Sequence, residues 1–161
     1  MILIVADTGP LNYLIQIGCV DLLSELIETV VLPASVLREL KSEKAPSEVR
    51  EWAENLPAWV EVKAAGSMMI AKPELSYADC EAISLAKELN ALLLMDDRRA
   101  KRAAADQSVR TLGTLGLLEA ASAIGLIQLS VAVERLRATN MFISDELIAQ
   151  ALRRDSDRRG A

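Results

Sequence analysis

The sequence predicts an α/β fold in three layers, α/β/α, around a mostly parallel sheet. Short apolar runs rich in β-branched residues recur between stretches of helical periodicity, the pattern of strands joined by crossover helices. The first run, Ile2 to Ala6, is unbroken by polar residues, as suits a strand buried on both faces. A chain of 161 residues lies within the range of one domain and can bury a core without staples.

Taken in order, the run Ile2 to Ala6 ends at Asp7-Thr8-Gly9-Pro10, with Thr8 placed to cap the following helix. Leu11, Leu14, Ile15 and Gly18 keep helical spacing there, and Asp21 to Leu26 makes a second short helical stretch. Thr29 to Leu32 is the next strand, closed by Pro33. Pro33 to Leu40 is expected to be helical with Val36, Leu37 and Leu40 inward, as is Pro46 to Glu54, and Trp59 to Val62 alternates as a short strand. Lys63 to Leu75 lacks periodicity and reads as a loop. Ser76 opens the clearest helix, with Ala82, Leu85, Ala86 and Leu89 on one stripe and Asn90 as its stop. Leu92 to Met95 is a buried strand, and a basic helix from Asp97 to Asp106 follows it. A short strand near Val109 to Leu112, a helix after Thr114 and two helices from Ser130 and Ser144 complete the chain.

Composition removes several classes of function. There is no histidine, which excludes His-based nucleophilic catalysis and His-ligated metals. Cys19 and Cys80 are the only cysteines, and their spacing suits neither a zinc knuckle nor a disulfide framework, so they read as buried thiols of a reducing compartment. Aromatic residues are 3% of the chain, too few for the stacking platforms of sheet-faced RNA-binding modules. The apolar start meets Asp7 too soon for a signal-peptide core, and no apolar run reaches about 18 residues. The expectation is a soluble, cytoplasmic protein with no membrane partner. Its net charge of -5 leaves only local patches to attract a polyanion.

The acids carry the chemistry. Asp7 and Asp96 both stand at the exit of a buried strand, where open parallel sheets bind ligands. Asp79 fits a capping box with Ser76, yet it also continues the inward stripe of its helix, whereas Glu81 aligns with Ser84 and Glu88 on the outer face. Glu39 flanks its helix stripe beside Leu40. Four carboxylates from separate elements can share a small volume at neutral pH only if cations neutralise them. Without nitrogen or thiolate ligands, the fitting cations are Mg²⁺ or Mn²⁺, which assist attack on phosphodiesters. Arg98, Arg99, Lys101 and Arg102 follow Asp96 closely and read either as a solvated helix face or as a grip on a phosphate backbone.

These residues resemble the PIN-domain superfamily. The opening Ile-Val-Ala-Asp7-Thr8-Gly9-Pro10-Leu11, the Val-Leu-Arg-Glu39-Leu helix, Ala-Asp79-Cys-Glu-Ala-Ile-Ser-Leu-Ala and Leu-Leu-Leu-Met-Asp96-Asp97-Arg are similar to its successive acidic motifs. The first of these, with Gly-Thr-Leu-Gly-Leu-Leu at 113 to 118, resembles the DUF3368 branch, whose members are often described as VapC-like toxins. The resemblance spans roughly residues 2 to 127 and implies a PIN-like nuclease domain over 1–127; it says little about the helices from Ser130 onward, and 128–161 is expected to form a C-terminal helical extension packed on the same domain. It implies a metal-dependent endoribonuclease in which Asp7, Glu39, Asp79 and Asp96 are the catalytic acids. Asp7, Asp79 and Asp96 would hold Mg²⁺ or Mn²⁺, and Thr8 would lend a hydroxyl. It further implies homodimers and, for a toxin, a cognate antitoxin. One departure is Met95, where such domains often carry Thr or Ser before the fourth acid; Asp97 competes with Asp96 for that role. A binding module without turnover is the alternative. A phospho-acceptor receiver domain would need a third-strand Asp and a strand-end Lys, which the sequence lacks.

Overall fold

The computed structural model describes residues 3–68 and 70–160. Ile2 of the expected first strand and Met69 of the expected loop lie outside the described residues. In chain order the elements are β1 (Leu3–Ala6), α1 (Thr8–Gln16), α2 (Leu22–Leu26), β2 (Thr29–Pro33), α3 (Ala34–Leu40), α4 (Ser47–Glu54), β3 (Val60–Lys63), α5 (Tyr77–Leu89), β4 (Leu92–Leu94), α6 (Arg98–Asp106), β5 (Thr111–Leu112), α7 (Thr114–Ala123), α8 (Leu129–Arg137) and α9 (Asp145–Gly160). The strands form one sheet in the order β3-β2-β1-β4-β5, and every pairing is parallel.

Alternate residues of the central strands feed two cores. Ile4, Ala6, Val30, Leu32 and Leu94 point to one face, where α1, α2, α4, α7, α8 and α9 pack. Val5, Val31, Leu93 and Met95 point to the other, against α5 and α6. This is the three-layer α/β/α arrangement that unbroken apolar strands require, since each face needs its own cover. Leu129, Val133, Leu136, Ile148 and Ala151 of the last two helices belong to the same cluster as β1 and α1. Among the described residues, no helix is long and apolar enough to cross a membrane.

The topology creates a crevice. β1 and β4 are neighbours in register, with Ala6 beside Leu94. From β1 the chain leaves by α1 toward β2 on one side; from β4 it leaves by α6, on the opposite face, toward β5. Where successive connections diverge in this way, the loops leave a gap at the carboxyl ends of the two strands. Asp7 and Asp96 follow those ends.

Candidate functional site

Asp7 stands between β1 and α1, its backbone N–H donating to the Leu94 carbonyl at 3.0 Å. It occupies the cap position of α1 in extended conformation, but its side chain makes no capping bond; the expected cap, Thr8, is already the first helical residue. The Thr8 hydroxyl instead donates to Oε1 of Glu39 on α3. Asp7 is 6% exposed, and its buried Oδ1 has no hydrogen-bond partner. Burial, followed by the nearby charge of Asp79 and then that of Glu39, pushes the Asp7 carboxyl from 3.8 up to about 8 against the lowering pull of a backbone hydrogen bond at Thr8. A hydrogen bond to the Asp79 carboxyl adds to the rise. At neutral pH Asp7 therefore keeps its proton, where two bare carboxylates would repel.

Asp79 combines the two roles its position suggested. Its carboxylate accepts from the Ser76 N–H at 3.3 Å while the Ser76 hydroxyl accepts from the Asp79 N–H at 3.0 Å, a complete capping box on α5. The same carboxyl faces Asp7.

The expectation that Glu81 and Ser84 lie on the outer face of α5 is wrong. Both are buried. The apolar stripe identified only the side of α5 against the sheet, whereas α5 also packs on α3 and α6. Glu81 accepts from the Ser35 N–H at 2.9 Å, the Ser35 hydroxyl at 2.5 Å and the Ala65 N–H at 3.3 Å. Burial raises its pKa, but those donors outweigh burial and hold the carboxyl below its ordinary value.

On the other side of the crevice, Asp96 accepts from the Thr114 N–H at 2.8 Å and the Thr114 hydroxyl at 2.6 Å. Asp97 caps α6 by accepting from the Ala100 N–H at 2.9 Å. A methyl at Gly113 would stand 2.9 Å from Asp96 Oδ1 and 3.2 Å from the Lys101 ammonium, so the glycine leaves room for both groups. Arg98 and Lys101 line a groove with Asp96, bordered by Met141 and Phe142 from the α8–α9 loop. Arg99 and Arg102 do not line it; both are exposed on α6.

The structure thus gathers Asp7, Asp79 and Glu39 with Thr8, and holds Asp96 apart on Thr114. Among the described residues, no three acids converge closely enough to enclose a metal ion. The donor set still suits a hard cation: it offers oxygens only, one of them a buried carboxylate atom with no partner. The bonds of Thr114, Glu81 and Ser35 carry no local signal in the sequence, because each meets its partner across separate elements.

A family model, DUF3368, described as a PIN domain, matches residues 3–157. The chain belongs to this PIN-domain family. The match runs through α8 and most of α9, past the residue 127 at which the recognised motifs end. Among solved structures, the chain is similar to a PilT N-terminus domain protein from the hyperthermophilic archaeon Sulfolobus solfataricus P2. The two share 20% identity with a TM-score of 0.55, over 74% of this chain and 92% of that one, a likeness of fold. No curated protein matches the chain. PIN domains are generally nucleases and usually use divalent metals.

Proposed function

We propose that this PIN domain is a metal-dependent endoribonuclease whose centre is Asp7, with Asp79 and Asp96 as further metal-holding acids and Glu39 and Thr8 at the rim. The observation that carries this reading is Asp7: a nearly inaccessible carboxyl with an unpartnered oxygen, pressed by two other acids. That Oδ1 atom has lost solvation without gaining a hydrogen bond in exchange. When bound there, Mg²⁺ or Mn²⁺ supplies charge for the phosphoryl oxygens and an activated water for in-line attack.

The chain's own groups do the rest. Asp7 gives up its proton so that it and Asp79 both offer oxygens. Thr8 fixes Glu39 at the crevice mouth, and Thr114 fixes the rotamer of Asp96, which is half-buried in the crevice while Asp97 is engaged in capping. Arg98 and Lys101 position the backbone of the strand. A toxin acting with a cognate antitoxin, and a homodimeric assembly, belong to the same proposal and rest on the family resemblance alone.

The test is cleavage of a structured RNA with Mn²⁺ and with EDTA, by wild type and Asp7→Asn. The expected result is cleavage by wild type with Mn²⁺ only, and loss by orders of magnitude in a folded Asp7→Asn protein. RNA binding without any metal-dependent cleavage would instead support the non-catalytic module.

A further inference from the structure

We propose that the cleft between α1 and the α3–α4 segment is a recognition pocket for one unpaired nucleobase, read by Asn12 and Gln16 beside the acid centre. The inference rests on the nuclease reading for its substrate class and adds which residues choose the sequence.

The cleft has a volume of about 460 Å³ and begins at Thr8 and Glu39, so a strand lying at the acids can turn a base into it. Thr8, Asn12 and Gln16 are one helical turn apart and form a continuous row along its α1 wall. Asn12 and Gln16 are only partly exposed. Neither amide makes a hydrogen bond to the rest of the described chain, although caps and turns nearby use comparable groups. Each amide carries donors and an acceptor side by side, which matches the mixed donor and acceptor edge of a base, whereas a phosphate would use the donors alone. Tyr13, on the same wall, has its hydroxyl fixed by donating to Asn140 Oδ1 at 3.0 Å. That bond holds an aromatic ring at the pocket and joins α1 to the α8–α9 loop.

Single-stranded RNA is recognised by unstacked bases that lie on aromatic rings and are hydrogen-bonded along their edges. A tyrosine ring and two amides without a partner in the described chain supply both parts for one base. Lys44, which also lines the cleft, offers a charge for the adjoining phosphate. The neighbouring groove at Arg98 and Lys101 has no Asn or Gln among its lining residues, and its two cations are assigned to the backbone.

The test is fluorescence anisotropy with adenosine, cytidine and uridine homo-oligoribonucleotides, in Ca²⁺ to limit turnover, on wild type, Asn12→Ala/Gln16→Ala and the milder Gln16→Ala. Wild type should favour one base roughly tenfold or more, the usual reward of an amide contact to a base edge. The double variant should compress that spread to about twofold, with Gln16→Ala between, all three melting alike. No base preference in wild type, an unchanged preference in the variants, or no RNA binding would each overturn the pocket. Repeating the set with Mn²⁺ separates the two ideas. A base preference lost in the variant, without cleavage by wild type, sinks the nuclease reading alone; cleavage without any preference sinks the pocket alone.

Discussion

In the unfolded chain the Asp7 carboxyl titrates at about 3.8, whereas in the folded protein burial, and then the Asp79 and Glu39 charges, hold its proton to about pH 8. Between those values the folded state binds the extra proton. The stability this proton brings is complete below about pH 4 and is lost as pH rises through about 8. In EDTA, wild type should therefore weaken across that window, by at most about 1.4 kcal/mol per pH unit for one proton. Asp7→Asn should lack this component, and thermal or urea melts at several pH values in EDTA measure it. A cation must displace the same proton, so the midpoint for Mn²⁺ should tighten with pH until about 8 and then level off. Parallel pH profiles for the two proteins would show that Asp7 ionises freely and has no reason to seek a metal.

Helix α5 shows how an element can carry two kinds of acid two residues apart. Asp79 looks into the crevice, while Glu81 ties α5 to the start of α3 through Ser35 and to the segment after β3 through Ala65. Glu81→Ala would leave the two buried Ser35 donors and the part-buried Ala65 N–H without an acceptor, at a cost of about 3 kcal/mol, or roughly 6–12 °C in melting temperature for a chain of this size. The Mn²⁺-induced rise in melting temperature should survive in Glu81→Ala and shrink in Asp79→Asn; loss of that rise in Glu81→Ala would place Glu81 in the metal site. Most of the strands, the helices and the strand-end positions of Asp7 and Asp96 were legible in the sequence because unbroken apolar runs and turn residues are local signals. The capping box at Ser76 and the stop at Asn90, which adopts a left-handed conformation at φ 52, were legible for the same reason. The orientation of Glu81 was not. A single apolar stripe describes contact with one neighbour, and α5 has several. The tether of Asp96 to Thr114 spans 18 residues and two elements, a relation no local spacing encodes.

At the scale of the whole molecule, a net charge of -5 opposes any long-range attraction to RNA, so binding must draw on cations placed close to the strand. The four basic residues of α6 are not equivalent in this respect. Arg98 and Lys101 share a groove with Asp96, whereas Arg99 and Arg102 do not line it, and none of the four forms an ion pair with an acid among the described residues. Counterion release counts contacts with phosphates, each adding about 0.7 to the slope of log affinity against log salt for a single strand. Arg98→Gln/Lys101→Gln should therefore lower that slope by about 1.4, and Arg99→Gln/Arg102→Gln by less than half as much. The comparison is clean because both variants carry the same net charge, so a change caused by the general field would be equal in the two. Anisotropy titrations of one RNA at four salt concentrations supply the slopes. Equal slopes for the two variants would mean that the groove does not select its cations and that α6 meets RNA, if at all, as a uniformly charged face.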